Sequence, residues 1–191
     1  MSAEIVAGYA CPMLPRPTAR ITFREMTTED FEIMQQLLGD PRVMAYYPRA
    51  KSDDEVRRWI ESTVRSYAAH GFALWVLELV EDGTFIGDCG LTYQEVDGAT
   101  VLEVGYRLLP AYQGQGYATE AAQACLDLAF DVIGAKHVTA IINPRNAPSR
   151  RVADRLGMSL ETETVSKTGL PVVVYGIRRE TAPPHMASLE P

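Results

Sequence analysis

The stretch from Phe72 to Leu109 constrains this chain more than any other. Three runs rich in apolar, β-branched and aromatic residues, at 72–80, 84–96 and 100–109, are joined through Asp82-Gly83 and Asp97-Gly98. Asp-Gly suits the positive dihedrals of tight hairpins, so the runs are expected to pair as an antiparallel meander. A glycine-rich segment follows, and from Tyr117 the apolar period becomes helical. Ala118, Ala121, Ala122, Cys125, Ala129 and Val132 share one face, and Glu120, Gln123, Asp127 and Asp131 another, up to a stop at Gly134.

The flanks complete the pattern. Ile21 and Phe23 alternate with Thr22 and Arg24, which reads as a half-buried strand over 18–24 after an arm punctuated by Pro12, Pro15 and Pro17. Thr27 is expected to cap a first helix carrying Phe31, Met34, Leu37 and Leu38 inward, with Glu29 and Asp30 in its first turn. Ser52 and Glu55 form a capping box for a second helix that Gly71 closes. After Gly134 come a strand at 137–143, a short helix that Asn146 can cap, with Pro148 in its first turn and Gly157 beyond its end, and strands at 160–165 and 172–177. The order β-α-α-β-β-β-α-β-α-β-β is that of an α/β sandwich on a mixed sheet. Residues 1–17 are expected to form an arm, 18–179 one domain, and 180–191 a disordered tail.

Composition narrows the chemistry. The chain has 191 residues, of which 47% are hydrophobic and 23% charged, which matches an ordinary globular protein. Charges break every apolar run before it could span a membrane, and the N-terminus lacks the order of an export signal, so a cytoplasmic protein is expected. Cys11, Cys89 and Cys125, like His70, His137 and His185, are scattered at spacings that match no metal site. A net charge of −7 argues against direct nucleic-acid binding and makes a cationic small molecule the easier partner.

Gln113, Gly114, Gln115, Gly116, Tyr117 and Ala118 sit between the strand that ends near Leu109 and the helix that opens at Tyr117. Glycines there let backbone amides converge at the positive end of a helix, a place suited to phosphate. A plain strand-to-helix turn that needs glycine for its dihedrals is the other reading. A Walker loop is excluded because Tyr117 and Ala118 follow Gly116, and a dinucleotide fingerprint is disfavoured by Thr119 and by the lack of any Asp or Glu between Val132 and Ala153.

Gln113-x-x-Gly116-x-Ala118 resembles the Gln/Arg-x-x-Gly-x-Gly/Ala signature of the GNAT N-acetyltransferases. The neighbours FIGDCGL, EVGYRLLPAYQGQGYATEA and NPRNAPSRRVADRLGM resemble the ribosomal-protein (RimJ/RimL-like) branch. The likeness spans about 18–179. It implies the GNAT fold, a mostly antiparallel sheet flanked by about four helices. It also implies acetyl-CoA as co-substrate without a metal, and a protein N-terminus or small-molecule amine as acceptor, in a monomer or homodimer. By the same likeness the turn holds the pyrophosphate, the Leu108 backbone and Asn146 meet pantetheine, and Ser149 lies near the thiol. Tyr46 and Tyr47 stand where the acceptor enters. The family often has a tyrosine where this chain has Ala153, which leaves Ser149, a water or no acid at all to meet the leaving thiolate. A noncatalytic acyl-CoA-binding module is the alternative.

Acetyl transfer to an amine needs a base, since a lysine-like ammonium of pKa about 10.4 is roughly 0.04% neutral at pH 7, a cost of about 4 to 5 kcal/mol. Two-residue periodicity places Glu103, Gly105 and Arg107 on one strand face and Leu102, Val104, Tyr106 and Leu108 on the other. Glu103 is the leading base candidate, its alternative being an exposed partner of Arg107. Glu120 shares a polar stripe and reads as a solvated acid. Arg150, Arg151 and Arg155 form a basic side that suits phosphates or merely solvent, with Arg150 taken as a cofactor ligand. Trp59 falls on an apolar stripe and reads as core, with a lining role in the acceptor pocket as the second reading. Cys125 on a buried helix face and Cys89 within a strand do not look like acyl-carrying nucleophiles, so direct transfer is expected.

Overall fold

The structure is a computed structural model that describes residues 13–179. The expectations for the first twelve residues, Cys11 among them, and for the tail at 180–191 lie outside the described residues.

The elements run β1 (Ile21–Arg24), α1 (Phe31–Leu38), α2 (Asp53–His70), β2 (Leu74–Leu79), β3 (Phe85–Val96), β4 (Ala99–Leu108), α3 (Tyr117–Asp127), β5 (His137–Ile142), α4 (Ala147–Arg155), β6 (Ser159–Val165) and β7 (Pro171–Arg178). The strands form one seven-stranded sheet in the order β1-β2-β3-β4-β5-β7-β6. Every neighbouring pair is antiparallel except β4 and β5.

Local chemistry explains the frame. Asp97 (φ 48°) and Gly98 (φ 80°) both take positive dihedrals, as a two-residue hairpin turn requires. The turn pairs Val96 with Ala99 and, down the ladder, Thr92 with Glu103 and Asp88 with Arg107. Ser52 and Glu55 complete the capping box of α2, and Gly71 (φ 79°) ends that helix in the left-handed region. Thr27 caps a short 3-10 turn, Thr28–Asp30, which leads into α1. Asp30 is drawn inward, where Arg24 grips it with two hydrogen bonds of 2.8 and 2.9 Å. The first strand is shorter than its alternation suggests because Thr18 turns back onto the Ile21 carbonyl at 2.9 Å.

The sheet is covered on both faces. Ala121, Ala122, Cys125 and Leu126 of α3, with Val152 and Ala153 of α4 and Leu156 at its end, pack against Leu102, Val104 and Leu108 of β4. Met34, Leu37 and Leu38 of α1, with Val56 and Ile60 of α2, cover Val76 on the opposite face. Cys89 and Cys125 are fully buried with their sulfurs 3.6 Å apart, and burial pushes the Cys89 thiol up. The helix expected to run to Gly134 does not stay regular: α3 widens into a π-turn at Leu128–Val132, closed by Ile133 N to Leu128 O at 3.0 Å. The wider turn rotates the chain so that Phe130 is buried while Val132 is 63% exposed, against its expected inward place.

The parallel pair makes the site. β4 and β5 register at Glu103 and Thr139, where the Thr139 hydroxyl also donates to Leu102 O at 3.1 Å. Toward Leu108 and Ile142 the strands splay, and a cavity opens between them. Among the described residues no helix is long and apolar enough to cross a membrane.

Candidate active site

At the end of β4 the Leu109 amide still donates to Ile86 O (2.9 Å), so strand alternation turns the Leu108 backbone toward the gap. A 3-10 turn at Pro110–Tyr112 then carries the chain to the glycines. The Gln113 side chain donates to Leu108 O (2.9 Å) and that of Gln115 to Ala111 O (2.7 Å), which pins both ends of the turn. Gly114 (φ 74°) and Gly116 (φ 88°) adopt left-handed backbone, and a Cβ on Gly114 would meet nothing within 4 Å. Glycine is therefore required there by dihedral angle rather than by crowding. Gly116 is the N-cap of α3 and no side chain caps that helix, which leaves its first-turn amides open. The Thr119 hydroxyl in the same turn is buried without a partner.

Glu120 is not the solvated acid its stripe suggests. It accepts from Thr18 Oγ1 (2.5 Å) and from Arg20 Nε (2.7 Å), and it straps the segment before β1 onto the turn. Arg20 also donates to Gln115 O (3.1 Å) and stacks on Tyr117, its guanidinium carbon 4.3 Å from the ring centroid.

One cavity of about 1020 Å³ runs from the turn, through the gap, to the opposite face of the sheet. Gln113, Gly114, Gly116, Ala118 and Thr119 line one end, joined by Arg151 and Arg155 of α4. Tyr106, Leu108, Asn146 and Ser149 line the gap, and Glu103, Tyr46, Tyr47 and Trp59 the far end. Asn146 caps α4 by accepting from the Ser149 amide (3.1 Å), while Tyr106 donates its hydroxyl to Ser149 O (3.0 Å). Asn143 Nδ2 reaches Tyr46 O (3.3 Å) and so ties the α1–α2 connection to the end of β5. The remaining sequence candidates fall elsewhere. Gln115 faces a shallower pocket of about 520 Å³ beside the turn, shared with Glu120 and Arg155. Tyr117 lies beneath Arg20, and Arg150 points away to the Tyr175 hydroxyl (3.1 Å). Neither lines either cavity.

The Arg107 that might have neutralised Glu103 is engaged elsewhere. It forms two hydrogen bonds with the wholly buried Asp88 (3.0 and 2.5 Å) and lies over Trp59, 4.6 Å from the ring centroid. Burial opposes the Arg107 charge, but the Asp88 carboxylate and the Tyr47 hydroxyl together outweigh burial and hold its pKa above the ordinary value. Glu103 receives the Thr92 hydroxyl (3.3 Å), which is itself bonded by Gln94 (3.2 Å), and no cationic side chain pairs with it among the described residues. Burial pushes the Glu103 carboxyl from 4.5 up to about 7, against the Ile141 amide, the Thr92 hydroxyl and the Arg107 charge, which pull it down. A carboxyl poised near neutrality at the floor of a cavity is suited to taking a proton from an amine. Sequence reading missed Asp88, Thr92 and Gln94 as its surroundings, although the hairpin register that Asp97-Gly98 dictates places Thr92 opposite Glu103 and Asp88 opposite Arg107.

Residues 20–159 match the family model described as an acetyltransferase (GNAT) domain. The chain belongs to the GNAT acetyltransferase family. It is 38% identical over 159 residues to the uncharacterised protein YkkB of Bacillus subtilis (strain 168), covering 83% of this chain and 92% of that one. A crystal structure of an acetyltransferase from Agrobacterium tumefaciens superposes with a TM-score of 0.77 at 22% identity, covering 93% of this chain and all of that one. RimL, a ribosomal L7/L12 α-N-protein acetyltransferase in complex with coenzyme A, superposes with a TM-score of 0.71 at 15% identity, covering 86% and 97% of the two chains.

The cavity fits the acetyl-CoA of a GNAT enzyme. Open amides at the N-terminus of α3, the orphaned Thr119 hydroxyl, and Arg151 and Arg155 at the rim are the donors a diphosphate requires. The edge of β4 beyond its pairing with β5, where Gln113 holds the Leu108 carbonyl, and the Asn146 side chain border the gap that an amide-bearing arm would thread.

Proposed function

We propose that this chain transfers an acetyl group from acetyl-CoA to a primary amine, on a small molecule or a protein N-terminus, by direct attack while both substrates are bound. The observation that carries the reading is a single cavity joining an uncapped helix N-terminus to a buried carboxyl near neutrality. Acetyl-CoA supplies an activated thioester carbonyl and a thiol leaving group.

The chain's own residues supply the rest. The turn amides from Gly114 to Ala118, with Thr119, hold the diphosphate, while Leu108 and Asn146 align the arm along the gap. Glu103 accepts the ammonium proton, directly or through one water, as the amine approaches across Gly105, whose missing side chain leaves the strand face open between Glu103 and Arg107. Ser149 lines the gap and relays to the departing sulfur the proton that the attacking nitrogen sheds as the amide forms, so its own hydroxyl is restored. Ala153 has only a methyl group and no proton to give, and the Tyr106 hydroxyl is committed to Ser149 O with its pKa raised by burial. Buried Cys89 and Cys125 offer no accessible thiolate for a covalent route, which supports direct transfer.

The test is thiol release from acetyl-CoA with a panel of amines, under varied concentrations of both substrates. Amine-dependent release with intersecting double-reciprocal lines is expected. Parallel lines, or an acetylated enzyme trapped without acceptor, would contradict direct transfer.

A further inference from the structure

The net charge of the chain is negative, yet the acceptor half of the cavity is not. Arg42, Lys51, Arg107 and Lys167 line it against only Glu95 and Glu103. Several of these charges are answered within the chain: Arg107 by Asp88, Arg42 by Asp40 and Lys167 by Glu95. Lys51 is not. The acid whose field it feels, Glu55, is engaged by Arg49 through hydrogen bonds of 2.6 and 2.8 Å and by the Ser52 amide. The Lys51 ammonium instead lies 5.2 Å from the Trp59 ring centroid. Burial, and next the nearby Arg107 charge, push its pKa down. Trp59 adds a second unanswered donor, since its indole Nε1 is buried without a hydrogen-bond partner. An ammonium over the Trp59 ring and an orphaned indole N–H, on two residues that line the same cavity and with no acceptor among the described residues to meet either, are complementary to an anion.

We infer that the acceptor is an amine that also carries a carboxylate, and that Lys51 and Trp59 Nε1 bind this carboxylate while the amine faces Glu103. Along β4, Glu103 and Arg107 are four residues apart, about 13 Å between Cα atoms at a strand's rise. The Trp59 ring stands by the Arg107 end. The two ends of the acceptor are therefore separated by more than a single Cα, which suits an amino acid with an acidic side chain or a short acidic peptide. The expectation of a cationic acceptor, drawn from net charge, is reversed, because net charge describes the far field and these donors describe the pocket.

This inference rests on the acetyl-transfer reading, and two readouts separate them. The first is kcat/KM for matched acceptors, each carboxylate against its carboxamide, with free acidic amino acids in one arm and acidic dipeptides in the other. Wild type is expected to prefer the carboxylate by about tenfold or more. Lys51→Met, which keeps an apolar stem against Trp59, should abolish the preference through KM, with kcat and the KM for acetyl-CoA changed by less than about twofold. The second readout needs no turnover. The chain has two tryptophans, and Trp75 is fully buried, so saturable fluorescence quenching by the carboxylate acceptor in the presence of CoA reports on Trp59 and should vanish in Trp59→Phe. Quenching without turnover would uphold the docking site and overturn acetyl transfer. Turnover that favours carboxamides or polyamines, or a preference that survives Lys51→Met, would overturn the inference and leave acetyl transfer standing.

Discussion

In the proposed reaction Glu103 is the base, and its two properties give opposite signs at high pH. As a base it works only when ionised, so kcat/KM should rise with pH through about 7, where burial has pushed its carboxyl. As a buried group it favours the folded state in its neutral form. Its stabilising effect is present in full below the unfolded value of 4.5 and is lost as pH rises through about 7. Ionisation then costs the fold up to about 3 kcal/mol. Glu103→Gln should lower kcat by about 10²-fold or more and flatten the rising limb, with acetyl-CoA affinity nearly unchanged. In urea unfolding the variant should be more stable than wild type at pH 8, and the advantage should shrink toward pH 4. Asp88→Asn acts on the same site from below: it leaves the Arg107 charge unanswered and should cost about 3 kcal/mol in unfolding free energy. The freed positive charge should also lower the pH midpoint of activity, since Arg107 already pulls the Glu103 carboxyl down. Glu103 was legible from strand alternation, but its protonation was not, because burial depends on α2 and on segments distant in sequence.

At the scale of elements, hairpins and caps were readable because their causes are local. Asp97-Gly98, Ser52 with Glu55, and Gly71 each act within a few residues, and each appears as its chemistry requires. The π-turn after α3 was not readable, since Ala129 and Val132 keep a helical period in sequence and only packing decides which of Phe130 and Val132 goes inward. The splay of β4 from β5 is written in the periodicity of neither strand, and it is the feature that makes the gap. Gly105 lies on the open face of β4, where an added Cβ would only touch Leu74 Cδ2 at 3.8 Å. Gly105→Ala should therefore be tolerated, whereas Gly105→Leu should fill the acceptor end and raise acceptor KM by about tenfold or more, with acetyl-CoA binding retained. Steady-state kinetics on the two variants checks this; an unaltered acceptor KM in the leucine variant would move the acceptor off this face.

Across the whole molecule, distant segments meet at the cavity in ways no single window of sequence reveals. Arg20 holds Gln115 and Glu120, Asn143 holds the Tyr46 carbonyl, and Arg150, an expected phosphate ligand, is drawn off to Tyr175. The overall charge of −7 coexists with a cavity lined by Arg42, Lys51, Arg107 and Lys167, so net charge does not describe the local field there, while motif and element order identified the family. The central claim is that the uncapped start of α3 grips the diphosphate of acetyl-CoA in the splayed gap. Calorimetric titration of acetyl-CoA into wild type and Gly116→Arg tests it most directly, with an unfolding curve run on both. The left-handed position should cost the variant about 1 to 2 kcal/mol without unfolding it. Saturable one-to-one heat from wild type and none from the folded variant is the predicted result; equal heats from both, or none from folded wild type, would contradict the account.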